Sequence, residues 1–145
     1  MSNTLGQQRA TFALQALKAK LGKDVGKMDL HKEFPPLAAG LPAMILQNGF
    51  GQTLAFLLAK AGDEKDKKKD KKNDKHYVAY SIIRDWLAQN SYLDKGDDYD
   101  VIRQISNMDQ IDFLQAQRET LAMLEWLKRF ANAALFKGGS DAASE

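Results

Sequence analysis

The residues most suited to chemistry are four aspartates that lie close together along the chain: Asp94, Asp97, Asp98 and Asp100. Closely spaced carboxylates are typical of calcium loops, in which oxygen ligands occupy fixed positions. The positions do not fit, because the twelfth residue counted from Asp94 is Ile105, where a bidentate glutamate is required. We therefore interpret these aspartates as helix caps that complement the helix dipole.

Other reactive residue types are sparse. The chain has no cysteine, which excludes thiolate chemistry and the usual structural zinc sites, and its two histidines, His31 and His76, are isolated from each other. Gly49-Phe50-Gly51 lacks the Gly-Lys-Ser/Thr ending of a phosphate-binding loop. We predict no metal, no cofactor and no catalytic activity. One alternative is an RNA hydrolase that uses Asp97 and Asp98 as an unconventional acid pair.

Charge is distributed unevenly along the chain. Residues 1–62 contain seven Lys/Arg and three acidic residues, 63–75 contain seven lysines and five acids, and 76–112 contain three basic and seven acidic residues. A basic first half is typical of a protein that contacts a polyanion, and an acidic segment suits a basic partner. The alternative is that these charges scatter over separate solvated faces.

Three-to-four residue spacing of apolar side chains predicts helices throughout. The first should span 4–21, with Leu5 on its apolar stripe and Gly22 as its end, followed by a polar connector through Lys32. The uncharged stretch 34–59 is long enough to span a bilayer, but polar amides near its middle favour a buried pair of helices interrupted near Gly49. No signal peptide begins the sequence, so a cytoplasmic protein is expected.

The second half predicts three further helices, over about 76–90, a short one after Gly96, and a long one over about 110–136 with Leu114 on its stripe. Asp109 and Asp112 resemble a capping box. We expect an all-α, compact bundle of about five to six helices in one domain, 1–137. It would carry a long C-terminal helix, a disordered Lys/Asp-rich loop at 62–75 and a flexible tail at 138–145.

Three segments carry a resemblance to a known family. They are LPAMILQNGFGQTLAFL at 41–57, YSIIRDWL at 80–87 and ETLAMLEWLKRFANAAL at 119–135, preceded by a helix containing Gln8-Arg9-Ala10. In this order and at this length, the sequence resembles the small all-α subunit of the type III-B CRISPR effector, the Cmr (RAMP-module) complex. The resemblance covers nearly the whole chain, but the Lys/Asp-rich loop departs from the family pattern.

The resemblance implies a non-catalytic subunit of an RNA-guided, RNA-targeting ribonucleoprotein in antiviral defence. Copies of such a subunit stack head to tail beside the backbone subunits that hold the guide RNA, and help to hold the guide RNA–target RNA duplex. Sequence would then be read by base pairing. The alternative, from the residues alone, is a protein-only helical adaptor that never contacts nucleic acid.

Holding a paired strand regardless of its sequence requires cations and amide donors directed at phosphates. The candidates for these RNA contacts are Arg9, Lys18, Lys20, Gln47, Asn48, Gln52, Lys128 and Arg129. Gln47 and Asn48 could instead satisfy the helix ends at Gly49, and the last two cations could simply complement a helix dipole. Trp86 and Trp126 are interpreted as core residues.

Overall fold

The computed structural model describes residues 4–22, 28–62 and 73–133, and the structural statements below concern these residues. They form six helices and no strand: α1 (Leu5–Leu21), α2 (Met28–Asn48), α3 (Phe50–Gly62), α4 (Lys75–Gln89), α5 (Asp98–Ser106) and α6 (Gln110–Asn132). The predicted all-α class and the long C-terminal helix are confirmed. The charged loop, apart from its first residue and its last three, and the tail lie outside the described residues.

Side chains at the helix N-termini explain where most of the helices begin. Thr4 caps α1 in a reciprocal box with Gln7, and Asp74 caps α4 by accepting two backbone N–H bonds. Asp97 caps α5, so the expected capping role of the acidic run is confirmed there. At α6, Asp109 accepts the Asp112 amide but no bond returns, so the reciprocal capping box predicted there does not form. At α5, Asp97 and Asp100 do form such a box.

The polar connector predicted through Lys32 is wrong over residues 28–32, which belong to α2, and its earlier part, 23–27, lies outside the described residues. The helix begins at Met28 and contains Lys32 as well as three prolines, Pro35, Pro36 and Pro42. Five apolar side chains at helical spacing are buried along it: Leu30, Phe34, Ala38, Leu41 and Ile45. Burial of large apolar side chains stabilises by about 1.5–3 kcal/mol each, which offsets the roughly 3 kcal/mol cost of an interior proline.

The predicted interruption near Gly49 is confirmed. Gly49 has φ of 83°, and its N–H donates to the Ile45 carbonyl at 2.7 Å, ending α2. The next amide, that of Phe50, donates to the Gln117 side-chain oxygen at 3.1 Å, which ties the α2–α3 junction to α6. No helix in 4–22, 28–62 or 73–133 is long and apolar enough to cross a membrane.

Helix α6 lies between α1 and α2, with α4 packed against the inner side of this layer. The Phe12 and Trp86 rings pack 4.9 Å apart where α1 meets α4. At one end of the layer, His31 Nε2 lies 3.2 Å from the Gly22 carbonyl, and Asn132 donates to the Pro35 carbonyl at 3.2 Å. The C-termini of α1 and α6 therefore both meet the start of α2, so α1 and α6 run in the same direction.

Burial of the aromatic and apolar residues departs from the sequence prediction at three positions. Trp86 is fully buried, as expected, but Trp126 is 38% exposed. Leu5 and Leu114, predicted to lie on buried stripes, are about half exposed. Amphipathic spacing identifies the apolar side of a helix. It does not show how far a neighbouring helix extends along that side, so it cannot identify the apolar residues that stay exposed.

Candidate nucleic-acid interface

Three consecutive residues of α6 show how this helix sits in the layer. Gln117 accepts the Phe50 amide at the α2–α3 junction, whereas Glu119 pairs with Arg9 of α1. Successive helical residues are about 100° apart, so Arg118 points outward between the two neighbours. Arg118 is exposed, and it makes no ion pair within the described part of the chain.

The Arg9 side chain is engaged inside the layer. Its Nε donates to the two Glu119 oxygens at 2.9 and 3.1 Å, and its Nη2 donates to Oε2 at 2.6 Å. The side chains are only 22% and 10% exposed. A bidentate pair of this kind is among the strongest protein hydrogen-bond arrangements, so this candidate first of all joins α1 to α6.

Four of the predicted cations share one end of the layer. Arg9 is level with Glu119, so positions nine residues further along the parallel helices bring Lys18 level with Lys128. We call Lys18, Lys20, Lys128 and Arg129 the cationic end. Lys20 lies 4.0 Å from Asp85, and Lys128 lies 2.8 Å from Glu125, whereas Lys18 pairs with no described acid. The two acids, Asp85 and Glu125, therefore offset only part of the charge of these four cations.

The three predicted amides lie at the opposite end of α2. Gln47, Asn48 and Gln52 are exposed, and their side chains make no hydrogen bond to other described residues. The interpretation that Gln47 and Asn48 satisfy the helix ends at Gly49 is therefore not supported. About 20 Å of helix separates Pro35, beside the cationic end, from Asn48. The structure thus does not bring the amides and the cationic end together.

Arg118 was missed as a candidate, and Trp126 was assigned to the core. Both lie on what we call the outer face of α6: Arg118, Ala122, Trp126 and Arg129. The spacing of four, four and three residues places these positions on one side of the helix. That spacing was present in the sequence, but only the packing on both sides of α6 shows that none of the described helices covers this side.

The acidic run does not assemble a metal or acid–base site. Asp97 and Asp100 are used in the α5 capping box. Asp98 accepts the Tyr77 hydroxyl at 3.3 Å and lies 3.8 Å from Arg84. Burial, helped by the nearby Asp98 carboxylate, raises the pKa of Tyr80. Among the described residues, no group of three His, Cys, Asp or Glu side chains could hold a metal ion.

Comparison with known proteins identifies the family of this chain. The family described as CRISPR-associated protein (Cas_Cmr5) matches residues 5–134. The chain belongs to the Cmr5 family. A relative from Thermus thermophilus, named CRISPR system Cmr subunit Cmr5, is 29% identical over 112 residues, which cover 77% of this chain and 82% of the relative. The resemblance to the small subunit of the type III-B Cmr complex is confirmed.

The matched range contains every predicted RNA-contact residue, from Arg9 to Arg129, and all six helices. The family match therefore covers the whole described layer of α1, α6 and α2, and not only the Lys/Asp-rich segment.

Proposed function

We propose that this Cmr5-family chain is a non-catalytic, RNA-contacting small subunit of a type III-B Cmr effector complex in the cytoplasm. It would stack head to tail with copies of itself, beside the backbone subunits that hold the guide RNA. Its cationic end would contact phosphates of the guide RNA–target RNA duplex. Base pairing within the duplex would read the sequence, so the subunit needs no base-reading motif.

The observation that carries this proposal is that Lys18, Lys20, Lys128 and Arg129 all lie in or beside the last turns of two parallel helices, at the same end of the layer. Arg129 is 70% exposed, and its one ion-pair contact, to Glu125, is 3.9 Å long. Exposed cations with weak internal partners keep their charge available for phosphate oxygens. Contacts of this kind position a strand without reading its bases.

Co-expression with the other Cmr subunits, followed by native mass spectrometry, tests assembly, copy number and bound RNA together. Within the assembled complex, Lys18→Glu and Arg129→Glu should weaken target-RNA association for every sequence and flatten its salt dependence. Arg103→Glu is the matched control, since Arg103 is an exposed cation of α5 outside the cationic end. If Lys18→Glu and Arg129→Glu bound target RNA as well as the Arg103→Glu control does, the proposed contact surface would be refuted.

A protein-only adaptor is the second candidate, and exposed apolar side chains favour it. Ile111 is 68% exposed, and Leu46 and Leu114 are also largely exposed on the same layer. Such residues suit contact with another protein. If this reading holds, Ile111→Ser and Leu114→Ser should release the chain from the complex, while target RNA should give no crosslink to it.

The hydrolase alternative rests on Asp97 and Asp98, which the structure uses for capping and for contacts to Tyr77 and Arg84. Metal-dependent RNA cleavage by the isolated chain that is lost in Asp98→Asn would support the hydrolase. We expect no such cleavage from the isolated chain.

A further inference from the structure

The outer face of α6 combines an exposed indole with exposed guanidinium groups. Trp126 is 38% exposed, whereas Trp86 is completely buried, so the two tryptophans of the chain have different environments. Helical side chains lean towards the N-terminus of their helix, so the Trp126 ring leans over Ala122. The side chain at that position is only a methyl group. The Phe130 ring packs against the indole, with 5.7 Å between the ring centroids.

Cations flank this indole along the helix. Arg129 is one turn further on, and Arg118 is about 12 Å before Trp126 at 1.5 Å per residue. Glu125 also lies on this side, but its carboxylate is paired with Lys128 at 2.8 Å. With the Glu125 carboxylate paired in this way, Arg118 and Arg129 leave the outer face of α6 with a net positive charge.

A supported indole between exposed guanidinium groups matches the chemistry of an unpaired nucleotide. Bases stack on aromatic side chains without sequence preference, and cations beside the aromatic ring contact the phosphates on either side. A base inside a duplex cannot offer its face to Trp126, because its neighbours in the stack already cover it. The two binding modes therefore differ: the cationic end suits duplex phosphates, and the outer face of α6 suits a base outside a duplex.

We propose that the outer face of α6 binds an unpaired nucleotide of RNA, with its base stacked on Trp126 and its flanking phosphates contacted by Arg118 and Arg129. This inference rests on the proposed RNA-contacting function and adds a separate site for unpaired nucleotides. It assigns to Arg118 and Trp126 a role beyond that of the eight predicted contact residues.

The site can be tested on the full chain labelled with 5-fluorotryptophan, whose two fluorine resonances are assigned with Trp126→Phe. A single-stranded RNA of about twelve nucleotides, within the range of known single-strand sites, should shift the Trp126 resonance and leave that of Trp86 unchanged. A blunt duplex of the same length is the comparison. Equal shifts with both RNAs, or no shift of Trp126 with the single strand, would overturn the proposal.

Affinity for a labelled single strand separates stacking from a loss of structure. Trp126→Ala should bind about tenfold more weakly, whereas Trp126→Phe retains an aromatic face and should stay within about threefold of the unmodified chain. Arg118→Gln should weaken single-strand binding and reduce its salt slope by about one. Thermal unfolding controls for folding. Unchanged single-strand affinity in Trp126→Ala would refute this site. The proposed duplex contact is tested separately, and it would fail only if Lys18→Glu and Arg129→Glu left target-RNA association in the complex unchanged.

Discussion

Replacing Arg9 by alanine should destabilise the fold, because this side chain is held in the layer by Glu119. The change removes three hydrogen bonds and leaves a carboxylate that is only 10% exposed without its partner. Hydrogen bonds to charged groups contribute about 1.5–3 kcal/mol, and breaking a fully buried pair costs about 3–5 kcal/mol. Since Arg9 is 22% exposed, we expect a loss of about 2–3 kcal/mol in the free energy of unfolding.

Urea unfolding followed by circular dichroism measures this change, and the midpoint of thermal unfolding should fall by roughly 6–10 °C. A double-mutant cycle with Arg9→Ala and Glu119→Ala should give a coupling energy of about 2 kcal/mol, because the second substitution removes a carboxylate that has already lost its partner. Lys18→Ala is the matched control on the same helix, with an expected change within about 0.5 kcal/mol.

A coupling energy below about 0.5 kcal/mol would refute the reasoning, since the measured pair would then behave like an ordinary surface ion pair. If Arg9→Ala kept full stability but lost RNA association in the assembled complex, Arg9 would be an RNA contact rather than a link between α1 and α6.

Three further predictions concern stability. Gly49→Ala should lower the free energy of unfolding by about 1–2 kcal/mol, because a φ of 83° is unfavourable for a residue with a side chain. Gly40→Ala should raise it by about 0.5–1 kcal/mol, because Gly40 is an exposed helical residue with free space around it. Urea unfolding measures both changes. Asp97→Ala should cost about 1 kcal/mol by removing the α5 cap, measured in the same way. Burial lowers the pKa of His76 below 6.5, so the fold favours its neutral form. The stability of the fold is therefore highest above the pKa of His76 in the unfolded chain, and it decreases as the pH falls and this side chain is protonated. His76→Gln should therefore weaken the dependence of stability on pH between about 5 and 7.

Local sequence signals predicted most of the helix boundaries. Thr4 and Asp74 mark N-termini through side chains that accept backbone N–H bonds, and Gly49 marks a break through its positive φ. These signals are local, so they can be read without knowledge of the fold. The start of α2 was missed because its prolines argue against a helix locally, while burial of Phe34 and its helical neighbours favours the helix globally.

The candidate interface could be predicted only in part. Residue type identified Lys18 and Arg129 as exposed cations, but their position at the same end of the layer depends on α1 and α6 running in the same direction. Arg9 carries the same charge as these residues, yet its position opposite Glu119 gives it an internal partner. The exposed outer face of α6 depends on how two other helices flank it, and no spacing within α6 encodes their position.

Photo-crosslinking of target RNA within the assembled Cmr complex, with crosslinked peptides identified by mass spectrometry, tests the central claim most directly. We expect crosslinked peptides from this chain that contain Lys18 or Lys20 of α1, or the α6 segment from Trp126 to Arg129. Crosslinks confined to the other subunits, with this chain present at full copy number, would contradict an RNA-contacting function and favour the protein-only adaptor.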